Sequence, residues 1–241
     1  MMQGGLGETM ARVRESGVPA RRLLMNVAFA TRPRFVIIGT GRSGTAFISE
    51  YFRRAGVLIS HEQYYTHKGP YLRNPWRYWR TQGDASWLAV PFLPDRGMVA
   101  IHQVRHPYKV IDSLFRIGFF DPAHDAAHAP FVAFARQHFR FSDDPLQSAL
   151  RWYVEWNERC EAITDRRYRI EDLHNRAADI EQWLGLRVGL PGLVSDRVNS
   201  RPPVVDMAGL DVARDIRRFP EFRALEAMAE RYGYDLPEPG A

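Results

Sequence analysis

A glycine-rich turn between an apolar strand and a helix is the stretch of this sequence best suited to chemistry. Phe35–Ile38 are apolar and mostly β-branched, which predicts a buried parallel strand. After the turn, apolar residues recur at helical spacing until Gly56, which predicts a helix. Backbone N–H groups converge at such a turn and the helix dipole favours negative charge, so the segment predicts an anion site.

The residues at the end of the turn indicate which anion it binds. Gly39 and Gly44 have the spacing of the nucleoside-triphosphate loop G-x-x-x-x-G-K-[ST], in which Lys contacts phosphate and the hydroxyl contacts Mg²⁺. Thr45 and Ala46 stand at those two positions here, and the cation lies inside the turn as Arg42. The sequence therefore predicts a phosphate loop without a magnesium ligand, and a glycine turn that binds nothing is the alternative.

This loop resembles the 5′-phosphosulfate loop of the sulfotransferases, in which Lys or Arg is followed by Ser-Gly-Thr at the start of a helix. The resemblance implies a P-loop-like α/β fold of the bacterial type and binding of 3′-phosphoadenosine 5′-phosphosulfate (PAPS) without a metal. Arg42 is implied to counter charge at the sulfuryl group. The loop residues implied to bind the cofactor are Gly41, Arg42, Ser43, Gly44, Thr45 and Ala46.

A second stretch matches the same family. Met98–Val104 predicts a strand that ends at Arg105, with Pro107 two residues on and Ser113 eight residues on, which are the family's offsets. An Arg fork binds a phosphate dianion bidentately, and the resemblance implies that Arg105 and Ser113 hold the 3′-phosphate of PAPS. Arg201 lies in an extended polar-basic stretch that is implied to close over the nucleotide, and a surface arginine is the alternative.

The candidate bases follow a second predicted strand, Val57–Ser60. Ligands gather at the carboxyl ends of parallel strands, so we expect His61 and Glu62 to lie near the loop if the two strands are neighbours. Both residue types can accept a proton. The resemblance favours Glu62, then His61, then His102. A loop salt bridge or a helix cap is the alternative for the pair, and a satisfied core residue is the alternative for His102.

Length and pattern predict one α/β domain with a mostly parallel central sheet between helical layers. The chain has 241 residues, enough for one sizeable core. We expect residues 1–33 to be a partly ordered lead-in and 34–241 to form the domain, with an aromatic-rich insert at 63–97. That insert is either a functional lid or binding loop, or a pair of irregular helices with aromatics packed into the core. The remaining predictions are helices from Pro107, from Pro145 to about Ala162, at Ala177–Leu184 and at Pro220–Arg231, a strand at Arg167–Glu171, and a loop over 119–145.

Composition excludes several other classes. Cys160 is the only cysteine, so neither an intrachain disulfide nor a thiolate zinc cluster is expected. The net charge of +5 comes almost wholly from Arg, without the aromatic-interleaved basic run of an RNA-binding protein, so we expect no nucleic-acid partner. No apolar run reaches the roughly 20 residues that span a bilayer, and a cytoplasmic protein is predicted. His124 and His128 fall short of a metal-ligand pattern, and we expect a solvated loop or helix face there.

The function implied by the resemblance is transfer of the sulfuryl group from PAPS to a hydroxyl or amine of a small-molecule, carbohydrate or lipid acceptor. Two alternatives from other classes are a divergent P-loop nucleotide kinase and a non-catalytic protein that binds 3′-phosphoadenosine 5′-phosphate (PAP) or another nucleotide. The sequence indicates neither the acceptor nor the oligomeric state.

Overall fold

A computed structural model of the chain describes residues 34–70, 81–94, 98–186 and 211–238. The strands in these ranges are β1 (Phe35–Ile38), β2 (Ile59–His61), β3 (Tyr65–Thr66), β4 (Gly69–Pro70), β5 (Gly83–Ala85), β6 (Val99–Val104) and β7 (Arg167–Arg169). The α-helices are α1 (Thr45–Arg54), α2 (Pro107–Arg116), α3 (Asp125–His138), α4 (Pro145–Ile163), α5 (Leu173–Leu184), α6 (Val212–Asp215) and α7 (Phe222–Tyr232).

Five strands form a parallel sheet in the order β2-β5-β1-β6-β7. The two predicted strands that precede the glycine turn and His61 are not neighbours, because β5 lies between β1 and β2. Its sequence, Gly-Asp-Ala, has neither the apolar nor the β-branched character of a buried strand. Gly83 allows the close packing, since a Cβ atom there would lie 2.3 Å from the ring of Phe35.

The sheet lies between two apolar layers, as predicted. Alternate residues of β1 point to opposite faces, so Phe35 and Ile37 join one buried cluster while Val36 and Ile38 join the other. The first cluster packs against α1 and α5, and the second packs against α2, α4 and α7. The predicted α/β class and the mostly parallel central sheet flanked by helices are therefore confirmed.

Several local predictions need correction. The described part of the 63–97 insert is not a pair of irregular helices: it contains the β3–β4 hairpin, β5 and a 3₁₀ helix at Trp87–Phe92, and the interpretation as a lid or binding loop stays a prediction. The predicted loop at 119–145 contains α3, whose Val132, Phe134 and Ala135 are buried. The helix predicted from Ala177 already begins at Leu173, and the strand predicted to Glu171 ends at Arg169.

Some predictions lie outside the described residues. These are the N-terminal lead-in at 1–33, the extended stretch at 198–203 and four of the insert's aromatics, namely Tyr71, Trp76, Tyr78 and Trp79. The division of the chain at residue 33 stays a prediction. Within the described ranges, none of the helices has the length and apolar character needed to cross a membrane.

Candidate functional site

The turn between β1 and α1 is shaped by close backbone packing. Gly39 lies against β6, where an added Cβ atom would come within 2.4 Å of the Gln103 carbonyl oxygen. Arg42 and Gly44 both have left-handed backbone, with φ angles of 71° and 101°. The turn therefore leads directly into the N-terminus of α1, where backbone N–H groups favour an anion.

A buried polar contact fixes the turn to the sheet. The Gln103 side-chain amide donates to the Ser43 carbonyl oxygen at 2.9 Å, and the Tyr168 hydroxyl donates to the Gln103 side-chain oxygen. Gln103 is fully buried, so this contact is shielded from water. The hydroxyls of Thr40 and Ser43 are also buried, and neither has a hydrogen-bond partner among the described residues. The turn thus holds polar groups that an anionic ligand could satisfy.

Two arginines and one serine from the two sequence motifs meet at the turn. Arg105 Nη1 donates to the Arg42 carbonyl oxygen at 3.0 Å, and Arg42 Nε donates to Ser113 Oγ at 2.8 Å. The Tyr153 hydroxyl donates to the Arg105 carbonyl oxygen at 2.8 Å and holds the end of β6. Arg42 and Arg105 both line the cavity at this turn, where a bound anion could accept hydrogen bonds from their guanidinium groups.

His61 and Glu62 lie on the other side of the same turn. His61 Nε2 is 3.0 Å from Thr45 Oγ1 and 3.5 Å from Glu62 Oε1. Burial lowers the pKa of His61 to about 4, so the imidazole is neutral near pH 7. His61 and Glu62 lie near the turn, as expected, although β5 separates β2 from β1. Because Thr45 and Glu62 both face Nε2, the three residues do not form a nucleophile–His–carboxylate triad, which uses both ring nitrogens.

The third candidate base lies elsewhere. His102 is fully buried on β6, and its Nε2 is 2.9 Å from Asn157 Oδ1. Burial lowers the pKa of His102 to about 4. His102 is therefore a core residue, as in the alternative interpretation, although only its Nε2 has a hydrogen-bond partner among the described residues, and we give it no catalytic role.

The histidines at 124 and 128 have protein partners. His124 Nδ1 is 3.1 Å from Asp121 Oδ2, and His128 Nε2 is 3.1 Å from the Ile117 carbonyl oxygen. His128 lies on α3 but is buried, so the expected solvated position was wrong for this residue. In the part of the chain that the structure describes, there is no group of three or more His, Cys, Asp or Glu side chains that could hold a metal ion.

These residues surround a cavity of about 170 Å³ with two different sides. Its polar side consists of Gly41, Arg42, Gly44, Thr45, Ala46, His61, Glu62 and Arg105. Its apolar side is largely aromatic and consists of Phe47, Trp87, Leu114, Ile117, Phe119, Phe131 and Trp152, with His128 beside them. Arg201 lies outside the described residues. Of the apolar side, only Trp87 lies in the aromatic-rich insert that the sequence singled out; the other members come from separate elements and carry no common motif.

Comparison with known proteins gives a structural likeness but no family. No known protein family matches the chain, and no curated protein matches it. Among solved structures, the "Sulfotransferase Domain from the Curacin Biosynthetic Pathway" matches 86% of this chain and 100% of its own, with 14% identity and a TM-score of 0.49. A likeness this distant does not transfer the neighbour's activity to this chain.

Proposed function

We propose that this protein is a PAPS-dependent sulfotransferase that moves the sulfuryl group to a hydroxyl, or an amine, of an acceptor. The observation that carries the proposal is the meeting of the two motifs, in which Arg105 bonds the Arg42 carbonyl at 3.0 Å and Arg42 bonds Ser113 at 2.8 Å. The motifs are distant in sequence and resemble the two parts of one cofactor site. Their contact supports a single ligand with two anionic ends.

The donor set suits PAPS. The turn and the N-terminus of α1 supply backbone N–H groups for the phosphosulfate, and the buried hydroxyls of Thr40 and Ser43 have no partner among the described residues. Arg105 and Ser113 supply a guanidinium fork and a hydroxyl for the 3′-phosphate. Arg42 lies between these two groups and can contact either end of the ligand.

The proposed reaction is an in-line displacement at sulfur. The acceptor oxygen loses its proton to a base and forms a bond to sulfur, while the bond from sulfur to the 5′-phosphate oxygen breaks and leaves PAP. Arg42 is effectively always protonated, so it stabilises the charge that develops on the leaving oxygen without donating a proton. We assign Glu62 as the base, because His61 Nε2 already contacts Thr45 Oγ1 at 3.0 Å. His61 is the alternative base.

The cavity supports an acceptor with an apolar body. The reactive hydroxyl would lie between Glu62 and the turn, and the aromatic side of the cavity would cover the rest of the molecule. Among the acceptor classes that the sequence left open, this favours a small apolar molecule or a lipid over a carbohydrate, whose many hydroxyls need hydrogen-bond partners.

Binding of PAP tests the donor half of the proposal. Purified protein is heated with PAP or with ATP–Mg²⁺, and the midpoint of unfolding is recorded. A ligand at about 100 times its Kd adds about 2.7 kcal/mol, which corresponds to a shift of a few degrees in a chain of this size. We expect the shift with PAP and its loss in Arg105→Ala.

A control variant distinguishes the loss of an arginine in the site from the loss of an arginine on the surface. Arg116 lies on the same helix as Ser113 but is paired with Asp112 at 2.7 Å on the exposed face, so Arg116→Ala should keep the PAP shift. A shift with ATP–Mg²⁺ alone would instead favour the divergent kinase. A PAP shift without release of PAP from PAPS, across a panel of phenols, alcohols and amines, would favour a non-catalytic binding protein.

A further inference from the structure

One carboxylate in the sheet is buried behind the candidate base. Asp84 lies in the middle of β5 and has no exposed surface. Ser60 Oγ donates to its Oδ1 at 2.6 Å, and the Tyr65 backbone N–H donates to its Oδ2 at 3.0 Å. Burying a carboxylate costs free energy unless its oxygens accept several hydrogen bonds, so the hydrogen bonds of Asp84 are needed to stabilise it in the sheet.

The partners of Asp84 form the turn that follows His61. The Tyr65 backbone N–H donates to the Asp84 carboxylate at 3.0 Å, and the neighbouring N–H groups of Gln63 and Tyr64 also act on it as donors that lower its pKa. Consecutive N–H groups that converge in this way form an anion-binding nest, and here the anion belongs to the protein itself. The residue just before the nest is Glu62, whose own N–H donates to the Ala85 carbonyl oxygen at 3.1 Å.

The backbone conformation of Glu62 is unfavourable and needs neighbouring contacts to hold it. Its φ angle of 51° is in the left-handed region, which few residues other than glycine adopt. This conformation lets the chain turn over the end of β5 while the Glu62 side chain lines the cavity, with Oε1 3.5 Å from His61 Nε2. Strained backbone persists where its surroundings determine it, and the nest on Asp84 is the surrounding structure on the C-terminal side of Glu62.

We propose that Asp84 is a positioning residue for catalysis: it holds the 63–65 turn and thereby keeps the Glu62 carboxylate directed into the cavity. This inference rests on the proposed function, in which Glu62 is the base. Burial raises the pKa of Asp84 above its ordinary value, while its hydrogen bonds act in the opposite direction.

The matching experiment is a double-mutant cycle on turnover. Asp84→Asn keeps the size of the side chain but removes its charge and replaces one of its two acceptor oxygens by an N–H₂ group, so the side chain can no longer accept from both Ser60 and the nest. We expect a fall in kcat of about 10- to 100-fold, as for other misplaced catalytic groups, with the affinity for PAP unchanged within about twofold. In a Glu62→Gln background, Asp84→Asn should have almost no further effect, because residues that act as a unit are not additive.

A second readout does not depend on activity. Amide hydrogen exchange at residues 63–65 should become at least about tenfold faster in Asp84→Asn, because those N–H groups lose their charged acceptor, whereas exchange in β6 should not change. Ser60→Ala removes one bond to Asp84 without touching the nest, and it serves as the milder variant if Asp84→Asn does not fold. Its fall in kcat should be smaller and should also vanish in the Glu62→Gln background.

The outcomes are distinguishable. Equal loss of kcat in both Glu62 backgrounds, unchanged kcat in Asp84→Asn, or unchanged exchange at residues 63–65 would each overturn the role of Asp84. If the wild-type protein transfers no sulfuryl group to any acceptor, the proposed function fails, and the exchange measurement still decides whether Asp84 holds the Glu62 turn.

Discussion

Two residues of the cavity hold left-handed backbone although neither is glycine. Arg42 and Glu62 have φ angles of 71° and 51°, and both side chains line the cavity. For an ordinary residue this conformation costs about 1–2 kcal/mol. Contacts on the neighbouring backbone maintain it, since Arg105 bonds the carbonyl oxygen of Arg42 and the Ala85 carbonyl bonds the N–H of Glu62. Hydrogen bonds on the backbone of Arg42 and of the candidate base Glu62 thus hold both residues in a strained conformation.

Removing the charge of Arg42 should reduce turnover strongly. Asn is a suitable replacement, because it tolerates left-handed backbone and so removes the cation without adding strain. We expect Arg42→Asn to lower kcat by about 100-fold or more, since losses of comparable charge-stabilising groups have that size. The measurement is release of PAP from PAPS at saturating acceptor.

The control for this variant is an arginine on the same strand–turn–helix unit. Arg53 is exposed on α1 and is paired with Glu50 at 2.7 Å, so Arg53→Asn should keep turnover within about twofold of wild type. Turnover near the wild-type rate in Arg42→Asn would remove Arg42 from the mechanism.

At the scale of elements, the site depends on how closely β1 and β6 approach. Gly39 directly follows β1 and lies opposite Gln103. A Cβ atom added to Gly39 would be 2.4 Å from the backbone carbonyl oxygen of Gln103, and the Gln103 side chain bonds the turn. A backbone carbonyl in a central strand cannot move aside as a side chain can. The packing of these two strands therefore sets the position of the whole turn.

Gly39→Ala should damage both stability and binding. We expect the free energy of unfolding in urea to fall by about 2–3 kcal/mol, at the upper end for overpacked interiors, because the strands must separate. The affinity for PAP should fall at least about tenfold, because the turn moves with β1.

Gly56→Ala is the matched control for Gly39→Ala. Gly56 has a φ angle of 79° and open space around its Cα, so the change adds only backbone strain. It should cost about 1 kcal/mol and leave PAP affinity unchanged. If the two variants bind PAP equally well, the contact between Gly39 and Gln103 does not set the turn.

The sequence predicted the parts of the site that depend on neighbouring residues. The turn, the strand before it and the helix after it are local, so spacing and residue type were enough to predict them. The strand β5 could not be predicted, because its Gly-Asp-Ala sequence is set by the ring of Phe35 and by the nest on Asp84, both distant in sequence. The helix α3 was hidden by Pro130 and by non-helical backbone at His128.

At the scale of the whole molecule, one polar chain links the core to the site. His102 Nε2 is 2.9 Å from Asn157 Oδ1, and the Asn157 amide donates to the Tyr153 carbonyl oxygen at 2.8 Å. The Tyr153 hydroxyl in turn bonds the Arg105 carbonyl. His102 Nδ1 is buried and has no hydrogen-bond partner among the described residues, which fits a neutral ring with its proton on Nε2. A second proton would therefore be an unpaired buried donor.

Stability should consequently fall in acid, and His102 should cause part of that fall. Burial lowers the pKa of His102 from 6.5 in the unfolded chain to about 4 in the folded protein. The unfolded chain therefore binds a proton first, so the stability present above pH 6.5 is lost as the pH falls toward 4. At pH 5 the loss from His102 alone is about 2 kcal/mol. His61 acts in the same direction, because burial lowers its pKa as well.

The contribution of His102 can be isolated by substitution. His102→Gln keeps an N–H donor for Asn157 but does not titrate, so its free energy of unfolding in urea should fall less between pH 7.5 and pH 5, by about 2 kcal/mol. Between pH 7.5 and pH 8.5, the free energies of unfolding of wild type and variant should change with pH in parallel, whatever the constant difference between the two proteins. If the stability curves of wild type and variant stay parallel down to pH 5, His102 is protonated inside the folded core. The neutral His102 ring bonded to Asn157 would then not describe the protein in solution.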